Sequence, residues 1–208
     1  MSSWPFELRK RRRKNWLAAA LAAVALLAAT GCTADSTTDV PTTEPAPMPF
    51  ETCPPAPGPA EPTGAAVAEA RPLPAVTLPC FNGGAPVALA GLGRPAVINL
   101  WASWCRPCRT ELPELQAFAD GAGDRLLVLG VNTDDTRNAA AWAGADFGVS
   151  FPSVFDPDGT LKAGLGRTAI PVTLFVDQSG NVTYQDVSGA LTVSKLQALT
   201  AEHLGIST

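Results

Sequence analysis

Residues 95–118 pass from PAVINLWA through SWCRPC into RTELPELQAF. The first stretch is an almost unbroken apolar run with β-branched members, the pattern of a strand covered on both faces. The last places Leu112, Leu115 and Phe118 at helical spacing, with Pro113 predicted to kink the helix. At the junction stand Cys105 and Cys108, two residues apart. A strand that is apolar on both sides and turns straight into a helix belongs inside a sheet with helices packed over it.

The alternation continues along the chain. AVTLPCF reads as a strand, Asn82-Gly83-Gly84 as a turn and PVALA as a short return strand. RLLVLGVN is a buried strand, and Asp134 and Asp135 precede the helix RNAAAWAGADF, near its positive end. FPSVFD is a short strand closed by the turn Asp156-Pro157-Asp158-Gly159, PVTLFVD another, and Ser179-Gly180-Asn181 leads to the hairpin partner VTYQDVSG. Thr192 can cap a last helix, VSKLQALTAEHL, which ends at Gly205. The reading is α/β: a central mixed sheet flanked by helices over 75–206, with an N-terminal hairpin and an inserted strand–helix segment.

Upstream, composition takes over. Arg9–Lys14 is a basic block, the apolar run Trp16–Thr30 follows, and Gly31-Cys32 ends it. That is the pattern of a signal peptide over 1–31. Ala29-Thr30-Gly31-Cys32 resembles a bacterial lipobox, with Ala29 where leucine is usual, so Cys32 is the predicted lipidation site. An uncleaved signal anchor is the alternative, although the run is shorter than the roughly 20 residues of a comfortable span. Either way the basic block stays cytoplasmic and the rest faces outward. The first 31 residues hold six of the 15 Lys and Arg and one of the 19 Asp and Glu, leaving 9 against 18 and a formal −9. An acidic body offers no footprint for nucleic acid. From Cys32 to Pro74 the chain is rich in Pro, Thr and Ala, with eleven prolines between Pro41 and Pro74, and is predicted to be a disordered tether.

Five cysteines are an awkward number for an exported protein, but lipidation of Cys32 leaves four. Cys53, inside the tether, and Cys80, at the start of the folded part, are the expected structural disulfide, which exported chains form readily. For Cys105 and Cys108 three chemistries compete. A zinc half-site needs two more ligands, for which only Cys53, Cys80 and His203 are candidates. A structural bridge across two residues closes too small a loop to constrain the unfolded chain much. A redox dithiol fits the junction: at a helix N-terminus, beside Arg106, the Cys105 thiolate is favoured, and Cys108 one turn in is more sheltered.

WASWCRPC after a buried strand, with Ile170-Pro171 opening another strand about 65 residues later, resembles the thioredoxin superfamily. NLWASWCRPCRTELPEL, the LPCFNGGAPVALA hairpin and the insertion around Val128–Phe147 resemble its TlpA/ResA-like branch of membrane-tethered thiol–disulfide oxidoreductases, over about residues 73–206. The resemblance implies that Cys105 is the nucleophile and Cys108 the resolving thiol. It also implies that Pro171 is cis, that the Ile170 backbone pairs with substrate, and that Trp104 lies at the rim, with Arg106 and Pro107 tuning the pair. Glu111 matches an acid of the family's motif, although a solvated helix face explains it equally well. Asn99 stands where cytosolic thioredoxins carry a buried aspartate, and Ala169 where the family often has glycine.

The function implied is disulfide exchange with exported proteins, needing no cofactor beyond the redox-active cysteine pair. A TlpA-like reductase, for example of apocytochrome c cysteines, recharged by a membrane electron donor or acceptor, is the leading form. A disulfide-forming oxidase is the alternative. A thiol peroxidase is disfavoured because INLWASW replaces the P-x-x-x-[TS]-x-x-C loop. A non-catalytic binding module is disfavoured by the intact Cys105, Cys108 and Pro171.

Overall fold

The computed structural model describes residues 46–55 and 71–208. Six strands form one sheet in the order β1-β8-β7-β4-β5-β6. These are β1 (Arg71–Pro72), β4 (Ala96–Trp101), β5 (Leu127–Thr133), β6 (Ser153–Asp156), β7 (Val172–Val176) and β8 (Asn181–Asp186). β4 lies parallel to β5, and β5 to β6, while β7, β8 and β1 run antiparallel to their neighbours. Every residue of β4, β5 and β7 is buried, as their continuous apolar runs require.

Right-handed crossovers place successive connecting helices on one face of a parallel sheet. Helix α1 (Arg106–Ala122) links β4 to β5, and α2 (Arg137–Asp146) links β5 to β6. Their apolar faces meet Val97, Trp101, Val128 and Phe175 in one core, joined by Leu196 and Leu199 of α4 (Val193–Leu204). The opposite face, with Ile98, Leu129 and Leu174, is covered by the hairpin of β2 (Thr77–Leu78) and β3 (Val87–Ala88) and by the short helix α3 (Thr160–Gly164). α1 runs unbroken across Pro113. α4 has the predicted ends, with Thr192 Oγ1 accepting from Lys195 N at 3.3 Å and Gly205 at φ 68°.

Two features depart from expectation. The hairpin strands are only two residues long because the chain leaves them at Pro79 to join the large sheet. Pro79 O accepts from Phe155 N at 3.0 Å and Phe81 N donates to Ser153 O at 2.7 Å, which covers the open edge of β6. α3 was not foreseen beyond the Asp156–Gly159 turn; the Asp156 carboxylate accepts from Thr160 N and Leu161 N and so starts it.

The tether expected over 32–74 needs correction at both stretches the structure describes. Arg71 and Pro72 pair with β8, and residues 46–55 form a strap packed on the domain. Phe50, 1% exposed, meets the Phe81 ring edge-on at 4.6 Å and lies 5.9 Å from that of Trp101. Glu51 N donates to Ser150 O at 2.7 Å, and Cys53 is bonded to Cys80, as expected. Gly144 makes room for the strap: a Cβ there would lie 2.6 Å from Phe50 Cζ. One aromatic ring and one cross-link outweigh a proline-rich context. The signal segment, Cys32 and the remainder of the tether lie outside the described residues. Among the described residues no helix is long and apolar enough to cross a membrane.

Both anchors of the strap carry weight. Phe50→Ala should cost about 3 kcal/mol, as truncation of a buried ring does. Removing the Cys53–Cys80 bridge should cost about 3–4 kcal/mol through loop entropy. Because each change frees the same strap, the combined loss should fall short of the sum. Denaturant unfolding checks this; an unchanged midpoint for Phe50→Ala would show that the strap does not contribute.

Candidate active site

β4 ends at Trp101, and after Ala102–Trp104 the chain enters α1 with Cys105 as its N-cap. Helix N-termini leave backbone N–H groups without partners, and here the cap is a sulfur: Cys108 N donates to Cys105 Sγ at 3.3 Å. Arg106 and Pro107 occupy the exposed first positions, and no acidic residue stands in the first turn. Proline suits that position because its missing N–H would have had no helical partner. Cys105 and Cys108 are disulfide-bonded to each other. Cys105 is 4% exposed and Cys108 1%, so both sulfurs of the closed bridge are buried, Cys105 marginally the outer one.

Opposite them, the Ile170–Pro171 peptide is cis, and Ile170 O lies 3.9 Å from Cys105 Sγ. Trp104, 60% exposed, stands at the rim with Nε1 donating to Asp134 O at 2.8 Å. The structure thus brings Trp104, Cys105, Arg106, Pro107, Cys108, Ile170 and Pro171 together. Cys53–Cys80 is a separate bridge, between strap and hairpin. His203, considered as a metal ligand, stacks on Tyr184 with ring centroids 4.1 Å apart.

Glu111 overturns the solvated-face reading. It is 1% exposed and lies three residues after Cys108, on the same face of α1. Asn99 Nδ2 donates to Glu111 Oε2 at 3.2 Å and to Thr173 Oγ1 at 2.9 Å. Thr173 Oγ1 donates to Glu111 Oε1 at 3.4 Å, and Leu191 N donates to the same oxygen at 3.3 Å. Asn99 and Thr173 face each other across β4 and β7. Burial pushes the Glu111 carboxyl up from 4.5 to about 7; the bonds from Leu191, Asn99 and Thr173 oppose the rise, and the charge of Asp186 adds to it. A buried carboxyl contributed by α1 thus lies against Asn99. The one sequence signal was an acid placed three residues after Cys108, on the face carrying Leu112 and Leu115.

A family profile described as AhpC/TSA matches residues 70–185. The chain belongs to the AhpC/TSA family. It is 36% identical over 113 residues to thiol:disulfide interchange protein DsbE of Pseudomonas fluorescens biotype C, covering 53% of this chain and 61% of that one. The chain thus spans about three fifths of that relative's length. With thiol:disulfide interchange protein HelX of Rhodobacter capsulatus it shares 35% identity over 136 residues, 64% of this chain and 73% of the other. A secreted Mycobacterium tuberculosis disulfide oxidoreductase, described as homologous to E. coli DsbE, superimposes with a TM-score of 0.55. The identity is 25%, over 62% of this chain and 96% of that one. The fold is thioredoxin-like, and these relatives bear out the resemblance drawn from the sequence.

The raised carboxyl has a signed consequence. Below 4.5 Glu111 carries its proton in folded and unfolded chains alike, whereas between 4.5 and about 7 only the folded chain keeps it. Folding therefore loses stability as pH rises through that window, by about 3 kcal/mol for this one group. Glu111→Gln should flatten the loss when unfolding free energies of the oxidised protein are compared at about pH 5 and about pH 8. An identical pH slope in both proteins would contradict the assignment.

Proposed function

We propose that this protein exchanges disulfides with exported proteins through Cys105 and Cys108. The observation that carries the reading is the bonded pair at the N-terminus of α1, its outer sulfur facing the carbonyl before a cis proline. In the reduced protein the free N–H groups and the positive end of α1 favour the Cys105 thiolate. That thiolate attacks one sulfur of a substrate disulfide, a new S–S bond forms, and the second substrate sulfur leaves as a thiolate that takes up a proton. Cys108 then gives up its proton and attacks Cys105 Sγ. The mixed disulfide breaks, the Cys105–Cys108 bond forms, and two electrons have passed to the substrate. Glu111, buried on the same helix face as Cys108 and with its carboxyl raised to about 7, is our candidate acceptor for that proton. Trp104 and the Ile170 backbone line the approach of an extended substrate segment.

The leading direction is reduction of substrate cysteines, such as the haem-binding pair of an exported apocytochrome c, with a membrane electron carrier restoring the thiols. One observation favours the reverse. A first turn without acidic residues stabilises the thiolate, and stabilising the reduced pair makes its disulfide the stronger oxidant. In this reading the domain works outside the cytoplasm, on a lipid anchor at Cys32.

Trapping tests the central step. Cys108→Ser should accumulate mixed disulfides through Cys105, and their partners should be exported cysteine-containing proteins; adducts forming instead on Cys108 in the Cys105→Ser variant would reverse the roles. For the anchor, Cys32→Ala should abolish fatty-acid labelling, and labelling that survives would rule the anchor out.

A further inference from the structure

Asp135 accepts four hydrogen bonds from three parts of the fold. Ser103 N and Ser103 Oγ donate to Oδ2 and Oδ1 at 2.6 and 2.9 Å, from the loop between β4 and α1. Asn132 Nδ2, in β5, donates at 3.0 Å, and Thr136 N, at the start of α2, at 2.8 Å. A carboxylate offers about four lone-pair sites, so this one has none left for a substrate or for proton transfer. Its chemistry is positional.

What it positions is the approach to Cys105. Ser103 is tied to Asp135, the next residue, Trp104, to the carbonyl of Asp134, and Cys105 N then closes a turn on Ala102 O at 3.1 Å. Asp134 is itself braced from behind. It takes a left-handed φ of 51°, its N donates to Asp156 O at 3.2 Å, and its carboxylate pairs with Lys162 of α3. Gly159 passes so close that a Cβ there would lie 2.6 Å from Asp134 Oδ1. The dipeptide Asp134-Asp135 is a fixed post, and the cysteine loop is fastened to it.

In the oxidised protein the bond to Cys108 also holds the Cys105 sulfur. Once that bond opens, the loop's hydrogen bonds and the helix bond from Arg109 N to Cys105 O, 3.1 Å, are what keep Sγ over the N-terminus of α1. We propose that Asp135 is a positioning residue for the reduced state, keeping Cys105 Sγ over the helix N-terminus after the disulfide opens. This rests on the exchange reading given above. Loss of positioning and loss of charge have opposite signs at Cys105. Removing a nearby negative charge alone favours the thiolate, whereas releasing the loop withdraws the helix N–H groups that stabilise it.

The test is the pH profile of Cys105 alkylation by iodoacetamide in the reduced full chain, located by peptide mass. Asp135→Asn cannot accept all four bonds and should slow the neutral-pH rate about tenfold, the scale of one or two charge-assisted hydrogen bonds, with the alkaline plateau unchanged. Ser103→Ala keeps the backbone donor and should slow it about threefold. A profile for Asp135→Asn that moves to lower pH, or that superimposes on the unsubstituted one, would overturn the proposal. If circular dichroism shows that Asp135→Asn does not fold, Ser103→Ala decides by the same readout, and a superimposed profile overturns it. A Cys105 no more reactive than Cys108 in the unsubstituted chain would count against the exchange reading instead, since that comparison involves no change at Asp135.

Discussion

One hydrogen bond organises the site: the backbone N–H of Cys108 pointing at the sulfur of Cys105. It exists because a fully buried strand delivers the chain to the start of a 17-residue helix and leaves a cysteine at the cap position. Serine or aspartate commonly fills that position with oxygen. A sulfur there does the same capping work and gains an electrostatic reason to ionise when its disulfide opens. With Pro107 and no acid in its first turn, α1 itself carries nothing there that offsets the field. The carbonyl of Ile170, ahead of Pro171, lies 3.9 Å from the same sulfur.

Around this bond the domain arranges two carboxylates with contrasting duties. Glu111 is buried one turn after Cys108, and the cost of that burial outweighs the bonds it accepts from Leu191, Asn99 and Thr173, so its carboxyl rises to about 7. Asp135 is only partly buried and saturated with donors. The first is suited to holding and releasing a proton, the second to holding a loop. Burying Glu111 lowers the stability of the neutral-pH protein, the kind of local cost that proteins retain at sites of chemistry.

Much of this was readable in the residues. The runs AVINLW, LVLGVNT and VTLFV are apolar on both sides and became the buried strands β4, β5 and β7, and Thr192 and Gly205 marked the ends of α4. The cysteine spacing and Pro171 pointed to the candidate site. Contacts between residues distant in sequence were not readable. Glu111 is defined by partners at positions 99, 173 and 191, and the local sequence offers only its place on the apolar face of α1. Asp134 and Asp135 looked like helix-start residues, but Thr136 caps α2, its Oγ1 accepting from Ala139 N, and the aspartates reach back to the cysteine loop. The strap was hidden because Phe50 is a lone aromatic among prolines, and its partners Phe81 and Trp101 come later in the chain.

The most direct measurement is thiolate absorbance in the ultraviolet as the reduced protein is titrated with base. If α1 stabilises the sulfur at its N-cap, one thiol ionises at distinctly lower pH than a cysteine of the unfolded chain, and substitution of Cys105 alone removes that early step. An early step that survives in Cys105→Ser, or ionisation of every thiol together at the pH of the unfolded chain, would contradict the central role given to Cys105.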